Sequence, residues 1–176
     1  YDNGYSIYQF VKNWPTWGKA VQEVINEYVG KKNPARSLVD SLATGLSSTK
    51  DKAMAIYNFV SSEIATKGSG SSLDFTNENL AQLLSNKSGL GGEKNVLLDH
   101  MLKLAGIESY PVLIATRDQS VFLPQLLQLN QFDHIICSCV IDSNQYYLDA
   151  AAKFCPFGVL PPNSLASGGL FIDKNN

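Results

Sequence analysis

At Gly106 the periodicity of this sequence changes, and that change decides what the chain can fold into. Before it, Leu97, Leu98, Met101, Leu102 and Ala105 repeat at helical spacing, and Gly106 is placed to end the helix. After it, Tyr110 to Thr116 is apolar and β-branched, and His134 to Ile141 is similar. Gln145 to Asp149 then follows the turn-prone Asp142-Ser143-Asn144. Upstream the period is helical. Ala20, Val21, Val24, Ile25 and Tyr28 follow Trp14-Pro15-Thr16-Trp17, and Gly30 is a stop signal. Ala53, Tyr57, Val60 and Ile64 form the cleanest stripe, behind Ser47-Ser48-Thr49, any of which can cap it. A shorter helix is expected from about Thr76 or Asn77 through Leu80, Leu83 and Leu84. Helices first and antiparallel strands afterwards make an α+β pattern, not the alternating βαβ of a parallel sheet.

The 176 residues suit one domain, read as a helical lead over 1–45, a core over 46–161 and a tail over 162–176. A chain of this size buries enough surface to fold without a metal or disulfide staple. Hydrophobic residues at 44% and charged residues at 17% exclude a disordered chain. With 14 Lys+Arg against 16 Asp+Glu there is no basic stripe to expect nucleic acid from. Eight Tyr, eight Phe and two Trp without basic interleaving do not suggest base stacking either. No apolar run approaches the ~20 residues of a membrane-spanning helix. Lys67-Gly68-Ser69-Gly70-Ser71-Ser72 is a loop by composition, too short to link two domains. A start at Tyr1 rather than at Met is what a processed protein, or a piece excised from a larger one, would show.

Few residues are equipped for chemistry. There are two histidines. His100, beside Met101, reads as an ordinary helix side chain. His134 opens a strand, and the strand-turn-strand that follows ends in Leu148-Asp149. A His and an Asp on neighbouring strands are two thirds of a nucleophile–base–orienter triad, in which the carboxylate fixes the imidazole tautomer. Three cysteines, Cys137, Cys139 and Cys155, allow at most one internal disulfide, and no CxxC pair points to zinc. Two scattered histidines do not make a metal site, so no metal and no cofactor is expected. Strand parity places Cys137 and Cys139 on the face opposite His134, where core packing is their ordinary role. Gly89-Leu90-Gly91-Gly92-Glu93-Lys94-Asn95 lacks P-loop spacing and reads on its own as a turn opening a helix.

Three ordered segments carry a resemblance. Ala105 to Asp118 (Ala-Gly-Ile-Glu-Ser-Tyr-Pro-Val-Leu-Ile-Ala-Thr-Arg-Asp), Leu129 to Ile136 (Leu-Asn-Gln-Phe-Asp-His-Ile-Ile) and Tyr147 to Pro161 resemble successive motifs of the bacterial transglutaminase-like superfamily. The resemblance extends over about Ala53 to Pro161. It is nearest to the transglutaminase-like module that stands between β-rich domains of larger exported proteins. It implies a papain-like fold with N-terminal helices packed on an antiparallel sheet, and a Cys-His-Asp triad whose thiol sits at a helix N-terminus. There the helix field lowers the thiol pKa and backbone amides support an oxyanion.

Carried over residue by residue, the resemblance makes His134 the base and Asp149 its orienting carboxylate. The family's Gly-Asp-Cys-Lys-Asp-Lys pattern falls on Gly89-Leu90-Gly91-Gly92-Glu93-Lys94. Gly89 and Lys94 match and Glu93 keeps the charge, so the nucleophile slot is Gly91, and it is vacant. Because Leu90 and Gly92 depart as well, natural drift explains the stretch better than a single engineered change. Cys155 and Ser88 are poor substitutes by position. The expected function is a non-catalytic transglutaminase-like domain, peptide-binding or structural. Its partners would be an extended peptide or flanking domains of the same chain, in the periplasm or at the cell surface. The alternatives are an active hydrolase or acyl transferase with a non-standard nucleophile, and a purely architectural domain with a filled cleft. One difficulty attends the pair. A two-residue turn at Ser143-Asn144 would set Asp149 opposite Ser138, roughly 13 Å along the strand from His134 at ~3.3 Å per residue. The pairing then needs an asymmetric turn or a bulge.

Overall fold

The structure, a computed structural model, describes residues 13–68, 73–119, 121–165 and 168–173. The lead before Asn13, the middle of the Gly-Ser loop and the last part of the predicted tail lie outside the described residues.

Helix α1 spans Trp14–Val29. It starts earlier than its apolar stripe suggests, because Asn13 accepts the Thr16 amide and Pro15 sits in the first turn, where a missing N–H costs nothing. Gly30 closes it at φ 72°. Helix α2 (Arg36–Ala43) is a separate element inside the predicted lead. Helix α3 (Thr49–Glu63) is capped by Ser48, whose side chain accepts the Asp51 amide. Strand β1 (Ala65–Thr66) comes next, and then α4 (Leu80–Asn86), capped by Asn79. Thr76 and Asn77, expected to open that helix, stay outside it and bind a buried carboxylate instead. Strand β2 (Ser88–Gly89) pairs in parallel with β1 and feeds directly into α5 (Gly91–Leu104).

The main sheet holds β3 (Ser109–Ile114), β4 (His134–Ile141), β5 (Asn144–Leu148) and β6 (Gly169–Phe171) in the order β5-β4-β3-β6, antiparallel throughout. The last strand comes from the predicted tail, where a three-residue element in a glycine-rich stretch gives no period to detect. The fold is therefore α+β, as its pattern predicts. Helix α5 lies on β4 and β3, and α3, α1 and α2 pack around α5. The core runs from Ile25 and Val39 through Tyr57, Leu97 and Met101 to Ile135, Cys137 and Cys139. The opposite face of the sheet carries a smaller buried strip of Val112, Ile114 and Ile136.

Candidate functional site

The hairpin register answers the turn difficulty. Asp142 (φ 50°) and Ser143 (φ 63°) are the two turn residues, not Ser143 and Asn144. Both lie in the left-handed region, the conformation of a two-residue hairpin whose twist matches its strands. The resulting pairs run from Ile141↔Asn144 to Cys137↔Leu148. Moving the turn by one residue shifts the register by two, so Asp149 follows on towards Ile136 and not Ser138. No bulge is required. His134 Nε2 and Asp149 Oδ2 stand 3.0 Å apart, both residues almost fully buried.

Further side chains hold this carboxylate. Asn95 Nδ2 donates to Asp149 Oδ1 (2.9 Å) and to the Ile135 carbonyl (2.8 Å), while its Oδ1 accepts the Ala150 amide (2.8 Å). Ser164 Oγ donates to Asp149 Oδ2 (2.7 Å), and the Ala151 amide donates to Oδ1 (3.0 Å). Burial alone would push the Asp149 carboxyl up, but its bonds from His134, Asn95 and Ser164 outweigh burial and hold it below its ordinary value. Beside His134, Asp133 accepts the Thr116 amide and hydroxyl, pinning the start of β4 to the end of β3.

Gly91 is the first residue of α5 and is buried; it is not among the glycines with positive φ. It lies one helical turn before Asn95, and residues four apart share a helix face. Position 91 and the amide that grips Asp149 thus face the same way. What fixes this helix end is Glu93. Its fully buried carboxylate accepts the Leu90 amide (2.7 Å), closing half a capping box. It also accepts the amides of Thr76 and Asn77, their side chains, and the Tyr28 hydroxyl. Burial raises the Glu93 pKa, but the amides of Asn77 and Leu90 with the Thr76 and Asn77 side chains bring it below its usual value. Lys94 Nζ is buried against the Ser61 carbonyl (3.3 Å) and Thr66 Oγ1 (3.0 Å). Burial lowers its pKa to about 8, with Asp149 opposing and Lys153 assisting.

Two of the thiols lie elsewhere. Cys137 and Cys139 belong to the core under α5, on the face away from His134. Burial pushes Cys137 well up and Cys139 to about 11. Cys155 is half-buried, bonds the Val159 carbonyl, and has a pKa raised by burial and then by Asp149. His100 sits in α5 with Nε2 buried and without a hydrogen-bond partner among the described residues. Asn95 and Ser164 are the site residues that sequence reasoning missed. Asn95 had a signal, since it stands four residues after Gly91, the expected nucleophile position. Ser164 comes from a remote segment and had none. Among the described residues no cluster of His, Cys, Asp or Glu could hold a metal ion, and no helix is long and apolar enough to cross a membrane.

No known family model matches the sequence, and no curated protein matches it significantly. A solved structure does. The crystal structure of a candidate protease from Parabacteroides distasonis superimposes with a TM-score of 0.59 at 17% sequence identity. The match covers 76% of this chain but only 26% of that one, so the shared unit is about a quarter of the other protein. At this identity the likeness shows a common, protease-like fold.

Proposed function

We propose that this chain is a non-catalytic domain of the transglutaminase-like, papain-related kind, which keeps its base–carboxylate pair and binds an extended peptide as part of a larger exported protein. The observation that carries the reading is the first residue of α5. A side chain there would share a face with Asn95, whose amide holds the Asp149 carboxylate paired with His134, and Gly91 supplies no atom that can attack. Acyl transfer of the family's type passes through a covalent intermediate and needs a nucleophile within hydrogen-bond reach of the base. In triad enzymes, positioning and oxyanion support without the nucleophile leave only ~10³–10⁴-fold catalysis over water.

The reading of an active enzyme with another nucleophile finds little support. Ser164 is the hydroxyl nearest the pair in bonding terms, yet its proton goes to Asp149, already held by His134. That arrangement orients a carboxylate and does not activate an alcohol. Cys137 and Cys139 face the core with raised pKa values.

The test compares the unaltered protein, His134→Ala and Gly91→Cys in peptide hydrolysis and acyl transfer. The unaltered protein should give no turnover that depends on His134; turnover abolished by His134→Ala would overturn the reading. In a Cys155→Ser background, Gly91→Cys should alkylate with iodoacetamide at pH 6.5 about tenfold faster than Cys155 does, since helix field and imidazole favour the thiolate. The negative φ at Gly91 lets a cysteine enter without backbone strain.

A further inference from the structure

Helix α5 covers one face of the main sheet and leaves the other to Leu160, Ser164 and Leu165. There the strip of Val112, Ile114 and Ile136 is roofed partly by Leu160 and Phe171. Beneath the roof is a cavity of about 420 Å³, within the ~300–1,000 Å³ of small-ligand sites. Its floor is apolar, and Tyr147 meets Phe171 edge to face at 6.3 Å along its lining. Arg117 is the charged residue of that lining. Its amide donates to the Asn163 carbonyl and its Nε to the Leu165 carbonyl, both at 3.0 Å, which holds the side chain against the roof segment. No carboxylate among the described residues forms an ion pair with it.

The cavity adjoins the buried pair. Ser164, part of its lining, donates to Asp149 Oδ2, and β-pairing sets Ile114 directly beside His134 on this face. An apolar floor, one tethered guanidinium without a counter-charge among the described residues, and polar groups at the Ser164 end form a definite pattern of complementarity. A carboxylate suits the two remaining guanidinium nitrogens, whereas a phosphate brings more charge than one arginine offsets. Amide groups suit the Ser164 end better than a bare acyl chain does.

The geometry points to this cavity as the seat of a peptide's C-terminal residue, with an aliphatic or aromatic side chain on the Val112-Ile114-Ile136 strip and the terminal carboxylate on Arg117. This rests on the peptide-binding reading above and gives it a substrate class.

Calorimetric titration with N-acetyl-phenylalanine, N-acetyl-phenylalaninamide and decanoate tests it, alongside NMR of the two histidine rings. The acid should bind about tenfold or more tightly than the amide, the gain expected of a charge-assisted pair. Arg117→Gln should remove that preference. Arg117→Lys, which keeps the charge without the fork, should retain part of it. The acid should shift the His134 ring signals and leave those of His100 in place. Equal affinity for acid and amide would overturn the assignment, as would no binding of the acid at about 10 mM or tighter binding of decanoate. An internal peptide that binds while the acid does not would overturn this seat and leave the peptide-binding reading standing. His134-dependent turnover by the unaltered protein would overturn the non-catalytic reading and leave this assignment untouched.

Discussion

Glu93 has no exposed surface and no cation within ion-pair reach among the described residues, yet it is held as a carboxylate by six hydrogen bonds from described residues. Three of them come from backbone amides, of Thr76, Asn77 and Leu90. Glu93→Gln keeps the volume but replaces one acceptor oxygen with an amide donor among donors. Hydrogen bonds to charged groups contribute about 1.5–3 kcal/mol, and a buried group left unpaired costs about 1–3. We expect Glu93→Gln to lose about 2–4 kcal/mol in urea unfolding; a loss under about 1 kcal/mol would mean the segment at Thr76 relaxes freely. The sequence showed only that Glu93 keeps a charge. The four residues that make these bonds lie as far as 65 residues away, so its weight in the fold could not be read from any window around it.

Among the elements, the short parallel pair β1–β2 decides where α5 begins. Gly89 closes that pair, and a Cβ there would lie 2.9 Å from Glu93 Oε2, 3.0 Å from Leu83 Cδ1 and 3.3 Å from Asn77 Nδ2. Glu93 cannot swing aside without losing its donors, so Gly89→Ala should cost about 1–3 kcal/mol, the range of overpacking. A melting temperature equal to that of the unaltered protein would refute this. Asn95 ties the same helix to β4 and to the end of β5. Asn95→Ala should destabilise by about 2–3 kcal/mol and loosen the carboxylate it holds, visible as altered His134 imidazole nitrogen shifts. The long elements were legible from sequence: the stripes of α1, α3 and α5 and the strand β4 start or end within a few residues of expectation. The turn was not, because Asp142, Ser143 and Asn144 all suit turns, and only the pair adopting positive φ fixes the register. β6 escaped because three residues carry no period. Proximity of His134 and Asp149 was expected from the resemblance, not from strand arithmetic, which placed them apart through the wrong turn.

Across the whole molecule, buried titratable groups give stability a shaped dependence on pH. Glu93 and Asp149 have folded pKa values below their ordinary ones, so their contribution is present above the usual carboxylate range and is lost as pH falls through it. Lys94 acts at the alkaline end. Its folded pKa of about 8 lies below the 10.5 of a free lysine, so between these values the unfolded chain holds the extra proton. More protons bound by the unfolded state means stability that rises with pH, here by at most ~1.4 kcal/mol per unit for one group. Other groups oppose it. Cys137, Cys139 and Cys155 have raised pKa values, as do Tyr28 and Tyr57, so their contributions fade as pH climbs past about 9 and 10. The total curve therefore hides the lysine. A difference exposes it, because thiols and phenols remain in Lys94→Met and cancel on subtraction. Urea unfolding of both proteins at pH 7, 8, 9 and 10 should show the stability of the unaltered protein gaining on that of Lys94→Met from pH 8 upwards. Below pH 8 the offset should be flat. Parallel curves over the whole range would mean that Lys94 keeps an ordinary pKa in the folded protein, and that its Nζ reaches water despite burial against Ser61 and Thr66.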